Sequence, residues 1–66
     1  MQLQKINDSL YSYKTELMSI EVRHDGQWTI WIETLTECHK HTEETLFEAI
    51  LFSTAFWQDL MGKEFT

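Results

Sequence analysis

Met18-Ser19-Ile20-Glu21-Val22-Arg23-His24-Asp25-Gly26-Gln27-Trp28-Thr29-Ile30-Trp31-Ile32-Glu33 decides the fold. Met18, Ile20 and Val22 alternate with Ser19, Glu21 and Arg23. Beyond Gly26, Trp28, Ile30 and Ile32 alternate with Thr29, Trp31 and Glu33. A period of two marks a strand with one buried face, and two such runs around Asp-Gly make an antiparallel hairpin. A two-residue Asp25-Gly26 loop would set Val22 opposite Thr29 and send the two apolar sets to opposite faces. A three-residue loop, His24-Asp25-Gly26, sets Val22 opposite Trp28, Ile20 opposite Ile30 and Met18 opposite Ile32. It gathers the apolar residues on one face and places Gly26 where φ > 0 is needed, so it is the expected loop. Trp31 then stands among Ser19, Glu21, Arg23, Gln27, Thr29 and Glu33 on the polar face, either packed across strands or anchoring a partner.

The apolar face of the hairpin needs a cover, and Leu46 to Met61 read as the helix that supplies it. Leu46, Ala49, Ile50, Trp57, Leu60 and Met61 fall on one stripe at helical spacing, and Phe47/Leu51 and Phe52/Phe56 form i,i+4 pairs on its two flanks. Only Glu48, Ala55, Gln58 and Asp59 are left for water. Thr42 followed by Glu43, Glu44 and Thr45 predicts the N-cap and acidic first turn, and Gly62-Lys63 the end. Upstream, Leu3, Ile6, Leu10 and Tyr13 have heptad-like spacing, which suits a short amphipathic helix over residues 2–13. Tyr11, Tyr13 and Thr15 favour extension instead. The expectation is a short helix or irregular start followed by a strand from about Tyr13. The fold class is α+β, one domain over residues 1–66: a hairpin or three-stranded sheet packed on helix Thr42 to Met61.

Composition narrows the function. With 66 residues there is room for one small core, and a domain near that size buries only about 60% of its unfolded surface, a shortfall that oligomers commonly relieve. A hydrophobic fraction of 42% with 14% aromatics outweighs the net charge of −6 and predicts a folded chain. The single cysteine, Cys38, cannot close an internal disulfide, and Lys5 and Asp8 interrupt the start where a leader needs its apolar stretch; a cytoplasmic location is expected. The longest nearly apolar run, Ala49 to Trp57, falls well short of the ~18 residues that span a bilayer.

The bases Lys5, Lys14, Arg23, Lys40 and Lys63 are dispersed, so no basic stripe offers itself to phosphates and direct nucleic-acid binding is not expected. Between Thr42 and Met61 there is no Lys or Arg, while Glu43, Glu44, Glu48 and Asp59 line the exposed strip. Such a strip aids solubility and also suits a basic partner. One small sheet cannot cover both aromatic flanks, so at least one must be buried by the N-terminal segment or by another chain. A homodimer or a stable complex burying Phe47/Leu51 or Phe52/Phe56 is therefore expected, with Trp31, Glu44, Glu48 and Asp59 as further partner-binding candidates.

Asp25-Gly26-Gln27-Trp28-Thr29-Ile30-Trp31-Ile32, then Leu35, Cys38 and Thr45-Leu46-Phe47-Glu48-Ala49-Ile50, resembles the core pattern of HicB-like antitoxins: a Gly turn, an aromatic-rich strand, a Leu-Pro-Gly-Cys-type loop and a Thr-Leu-x-Glu-Ala helix start. The resemblance covers residues 25–50. Thr36 and Glu37 stand where that family has Pro-Gly, and 66 residues leave no room for its separate DNA-binding domain. It implies a β-β-α unit and, as one functional option, an antitoxin capping a small basic ribonuclease. The composition is also similar to that of small phage inhibitors of the anti-CRISPR type.

Reactive constellations are sparse. Cys38, His39 and His41, with His24 in the hairpin turn, are a zinc-type donor set, but one Cys-His-x-His cluster lacks the paired spacing of a structural site. A Cys/His nucleophile would need the two side chains to meet from one short loop, without a Gly-rich turn to stabilise an oxyanion. Glu43/Glu44 and Glu33/Glu37 are paired carboxylates in a chain with little room for a pocket of ~300 Å³. The reading is non-catalytic, without metal or cofactor: a small acidic protein that binds and inhibits or regulates another protein. A HicB-like antitoxin and a structural homo-oligomer are the alternatives.

Overall fold

The computed structural model describes residues 2–64. The chain forms β1 (Gln4–Asn7), β2 (Leu10–Lys14), β3 (Met18–Asp25), β4 (Gln27–Thr34) and β5 (Cys38–Glu43), then α1 (Leu46–Glu64). The strands make one antiparallel meander in the order β1-β2-β3-β4-β5, with the helix across one face. The α+β class and the central hairpin are as expected, but the sheet has five strands rather than two or three.

In the hairpin, Ile20 pairs with Ile32, Val22 with Ile30, His24 with Trp28 and Asp25 with Gln27, leaving Gly26 alone at the turn. The expected register is thus displaced by two residues. A slip of two moves no side chain to the other face, so the apolar pattern cannot distinguish the two registers. Cross-strand packing can: the observed one brings the His24 and Trp28 rings to 4.7 Å, and Tyr11 adds an edge contact to Trp28 at 6.1 Å. Gly26, at the apex, has φ 77°, as a tight reversal requires.

No helix forms over residues 2–13. Asn7, Asp8 and Ser9 reverse the chain instead: the Asn7 side-chain oxygen accepts from the Ser9 amide at 2.8 Å, and Leu10 turns back along β1 to pair with Asn7. The heptad-like spacing loses because β2 finds a ladder on β3, where Tyr11 pairs with Val22 and Tyr13 with Ile20, on the face that carries the core. Ile6 is left exposed. Thr15 and Thr34 each close the next reversals in the same way, their hydroxyls accepting amides two and three residues on.

The helix begins later than expected. Thr42 lies in β5, and the N-cap is Thr45: its hydroxyl accepts from the Glu48 amide at 3.1 Å and donates to the Glu48 carboxylate at 2.9 Å. Glu43 belongs to the ladder with β4, and the first-turn acid is Glu48. Gly62 does not end the helix, which runs through it to Glu64; the side chain of Met61 lies outside what is described. The helix approaches β3, β4 and β5 and does not approach β1 or β2.

Met18, Ile20, Val22, Ile30, Ile32 and Ala49 are the buried core, with Leu46, Phe52, Phe56, Trp57 and Leu60 packed against it. Ile20, Val22, Ile30 and Ile32 lose essentially all contact with water, a contribution of about 1.5–3 kcal/mol each relative to exposure. Ser53, buried in the middle of the stripe, donates to the Ala49 carbonyl at 2.8 Å and lets the helix lie close to the sheet.

Candidate functional site

The two aromatic flanks of the helix have different fates. Phe52 and Phe56 turn toward β5, where alternation places His39 and His41 on the same face as Ile32 and Ile30, their partners in β4. The His41 and Phe52 rings stack at 3.9 Å and 10°, and His39 and Phe56 meet at 5.1 Å. The outward Nε2 of each imidazole is tied to a carboxylate, His39 to Glu37 at 2.8 Å and His41 to Glu43 at 2.7 Å. This flank is half-covered by the chain's own edge strand β5, while the N-terminal strands β1 and β2 do not reach the helix.

The opposite flank has no such cover. Phe47 is 71% exposed and Leu51 53%, one helical turn apart. On the same outward side lie Glu48 and, further along, Asp59, with Glu44 just before the N-cap, all exposed. Glu44 and Glu48 stand at the helix start, far from Lys63 near its end. The helix start therefore shows water an apolar pair with two carboxylates beside it. Of the eight residues expected to bind a partner, Phe47, Leu51 and Glu48 share this outward surface near the helix start, with Glu44 just before the N-cap; Asp59 lies about two turns beyond Leu51, and Phe52 and Phe56 are half-buried against β5.

Trp31 is on the other side of the molecule. It lies on the helix-free face of the sheet, 42% exposed, with the Lys40 ammonium 4.9 Å from its ring centroid. Beside it is a recess of about 360 Å³ lined by Ser19, Glu21, Arg23, Trp31, Glu33 and Cys38, larger than so short a chain was expected to offer. Within it Arg23 meets Glu21 at 2.7 Å. At the opposite edge, Lys5 meets Asp8 at 3.0 Å, and the hydrogen bond to that carboxylate raises the Lys5 ammonium above its usual range.

The donor set Cys38, His39 and His41 is divided by the strand that carries it. Cys38 pairs with Glu33 on the helix-free face, and the two histidines face the helix. Strand alternation thus separates the thiol from the imidazoles, both as metal ligands and as nucleophile and base. Among the described residues no group of three or more His, Cys, Asp or Glu is gathered around a metal-sized space. No described helix is long and apolar enough to cross a membrane.

The Thr45-Leu46-Phe47-Glu48-Ala49 segment has a local explanation independent of any family. Thr45 caps the helix through its hydroxyl, which also donates to the Glu48 carboxylate, Leu46 and Ala49 face the sheet, and only Phe47 is left without a structural role. Compared with protein-family models, with characterised proteins and with solved structures, the chain finds no match.

Proposed function

We propose that this is a non-catalytic binding protein that inhibits or regulates a basic protein, docking on it through the outer face of α1. The observation that carries the reading is the exposure of Phe47 and Leu51 beside the exposed carboxylates Glu44 and Glu48. A large aromatic residue 71% in water on a rigid, capped helix contributes little to its own fold, and such residues supply most of the binding energy when a partner covers them. These acids attract a basic surface and favour fast association, and a protein that itself binds nucleic acid has such a surface.

The test is affinity capture from the native host with three proteins: the wild type, Phe47→Ala/Leu51→Ala, and Glu44→Lys/Glu48→Gln. Gln at 48 keeps an acceptor for the Thr45 hydroxyl while removing charge. A basic protein retained by the wild type and lost from both variants supports the reading. Equal retention by all three refutes it.

A further inference from the structure

The geometry points to a second surface, the free edge of β5, as the place where two copies of this chain join into a continuous ten-stranded sheet. The two edges of the sheet are unequal. β1 has four exposed residues, and its pairing with β2 shifts register between Lys5 and Asn7, a break that spoils it as a template. β5 pairs with β4 without a break from Cys38 to Glu43, and no described strand covers its other side. A lysine in the middle of an edge strand usually guards it. Here Lys40 does not, because its ammonium is folded back over Trp31 on the sheet face.

The identity of the occupant follows from symmetry and charge. Across antiparallel strands, opposed residues lie on the same face, so a twofold axis must pass through a residue that meets its own copy. With Lys40 on the axis, the two lysines would be brought side by side on one face, two like charges in close approach even with each ammonium leaning toward its own Trp31. With Thr42 on the axis, the part of β5 that can pair shrinks to residues 41–43. With His41 on the axis the ladder spans 39–43, His39 faces Glu43 of the other copy, and Lys40 faces Thr42. No like charges are opposed in that register, and each carboxylate gains an imidazole neighbour. The same operation puts both helices on one side of the joint sheet. Their half-exposed Phe52 and Phe56 flanks then face each other across the seam. The Phe47/Leu51 flank points away from it, so self-association and partner docking use different surfaces and fail separately.

The test combines sedimentation of the wild type with single cysteines in a Cys38→Ser background. The expected results are a wild-type dimer at high micromolar concentration and a rapid intermolecular disulfide for His41→Cys in a glutathione buffer, since the opposed Cα atoms would lie within disulfide range. Lys40→Cys and Thr42→Cys should cross-link when mixed with each other and not when alone. A wild type that sediments as a monomer overturns the inference whatever the variants do. So does a Lys40→Cys variant that cross-links by itself as fast as His41→Cys, which would mean random collision or another register.

Discussion

Three residues carry local decisions that can be tested singly. Thr45, not Thr42, caps the helix, so Thr45→Ala should lower stability by about 1 kcal/mol, while Thr42→Ala on the exposed edge strand should stay within about 0.5 kcal/mol. Urea denaturation of the two variants ranks them directly, and the reverse ranking would restore the earlier helix start. Gly26 has φ 77° and nothing within 4 Å of where a Cβ would sit. Gly26→Ala should therefore cost about 1–2 kcal/mol from backbone conformation alone, and Gly26→Asn distinctly less. Thermal unfolding showing equal losses would mean that contacts dominate at the turn. Trp57 presents a different case: its Nε1 is buried with no acceptor among the described residues. An unmet donor costs about 1–3 kcal/mol, so Trp57→Phe should lose less than the lost ring area implies. Gly26 was legible in the sequence as a turn needing φ > 0. The cap was not settled there, because Thr42-x-x-Thr45 and Thr45-x-x-Glu48 both offer a hydroxyl and acids nearby, and only the β4–β5 ladder, which holds Glu43, excludes the first.

At the scale of elements, legibility followed apolar periodicity. β3, β4 and α1 alternate or repeat in Ile, Val, Trp, Leu and Phe, and their shared face could be read directly. β5 could not, because its core-side positions are His39 and His41, which no apolar pattern counts; their partners are aromatic rings on the helix rather than aliphatic side chains. A Cys-His-Lys-His-Thr alternation opposite a Phe-x-x-x-Phe helix is the signal that would have found it. β1 and β2 were masked by a spacing that suits either helix or strand, and the Asn7-Asp8-Ser9 turn decided between them. One consequence concerns Phe52 and Phe56. Since both are half-buried against histidines, Phe52→Ala and Phe56→Ala should each cost about 1–3 kcal/mol, less than the 3–5 kcal/mol of a fully buried phenylalanine. Losses above that range on denaturation would place the two rings in the core proper.

For the molecule as a whole, charge and exposed apolar surface point the same way. The exposed acids Glu44 and Glu48 stand at the start of a helix whose Phe47 and Leu51 are open to water, while the helix-free face holds Trp31 and the Arg23–Glu21 pair. The sequence showed that the helix had more apolar surface than one sheet could cover; it could not show which flank remained free, since that depended on the unseen β5. The association rate with a captured basic partner should fall as salt shortens the Debye length below about 8 Å, whereas loss of the apolar pair should act mainly on the dissociation rate. The most direct measurement is therefore surface plasmon resonance of that partner with the wild type and with Phe47→Ala/Leu51→Ala, repeated across a salt series. The account predicts a wild-type association rate that drops steeply with salt and a variant that dissociates at least about tenfold faster, with circular dichroism unchanged. A variant that binds and dissociates like the wild type, at a rate indifferent to salt, would contradict it.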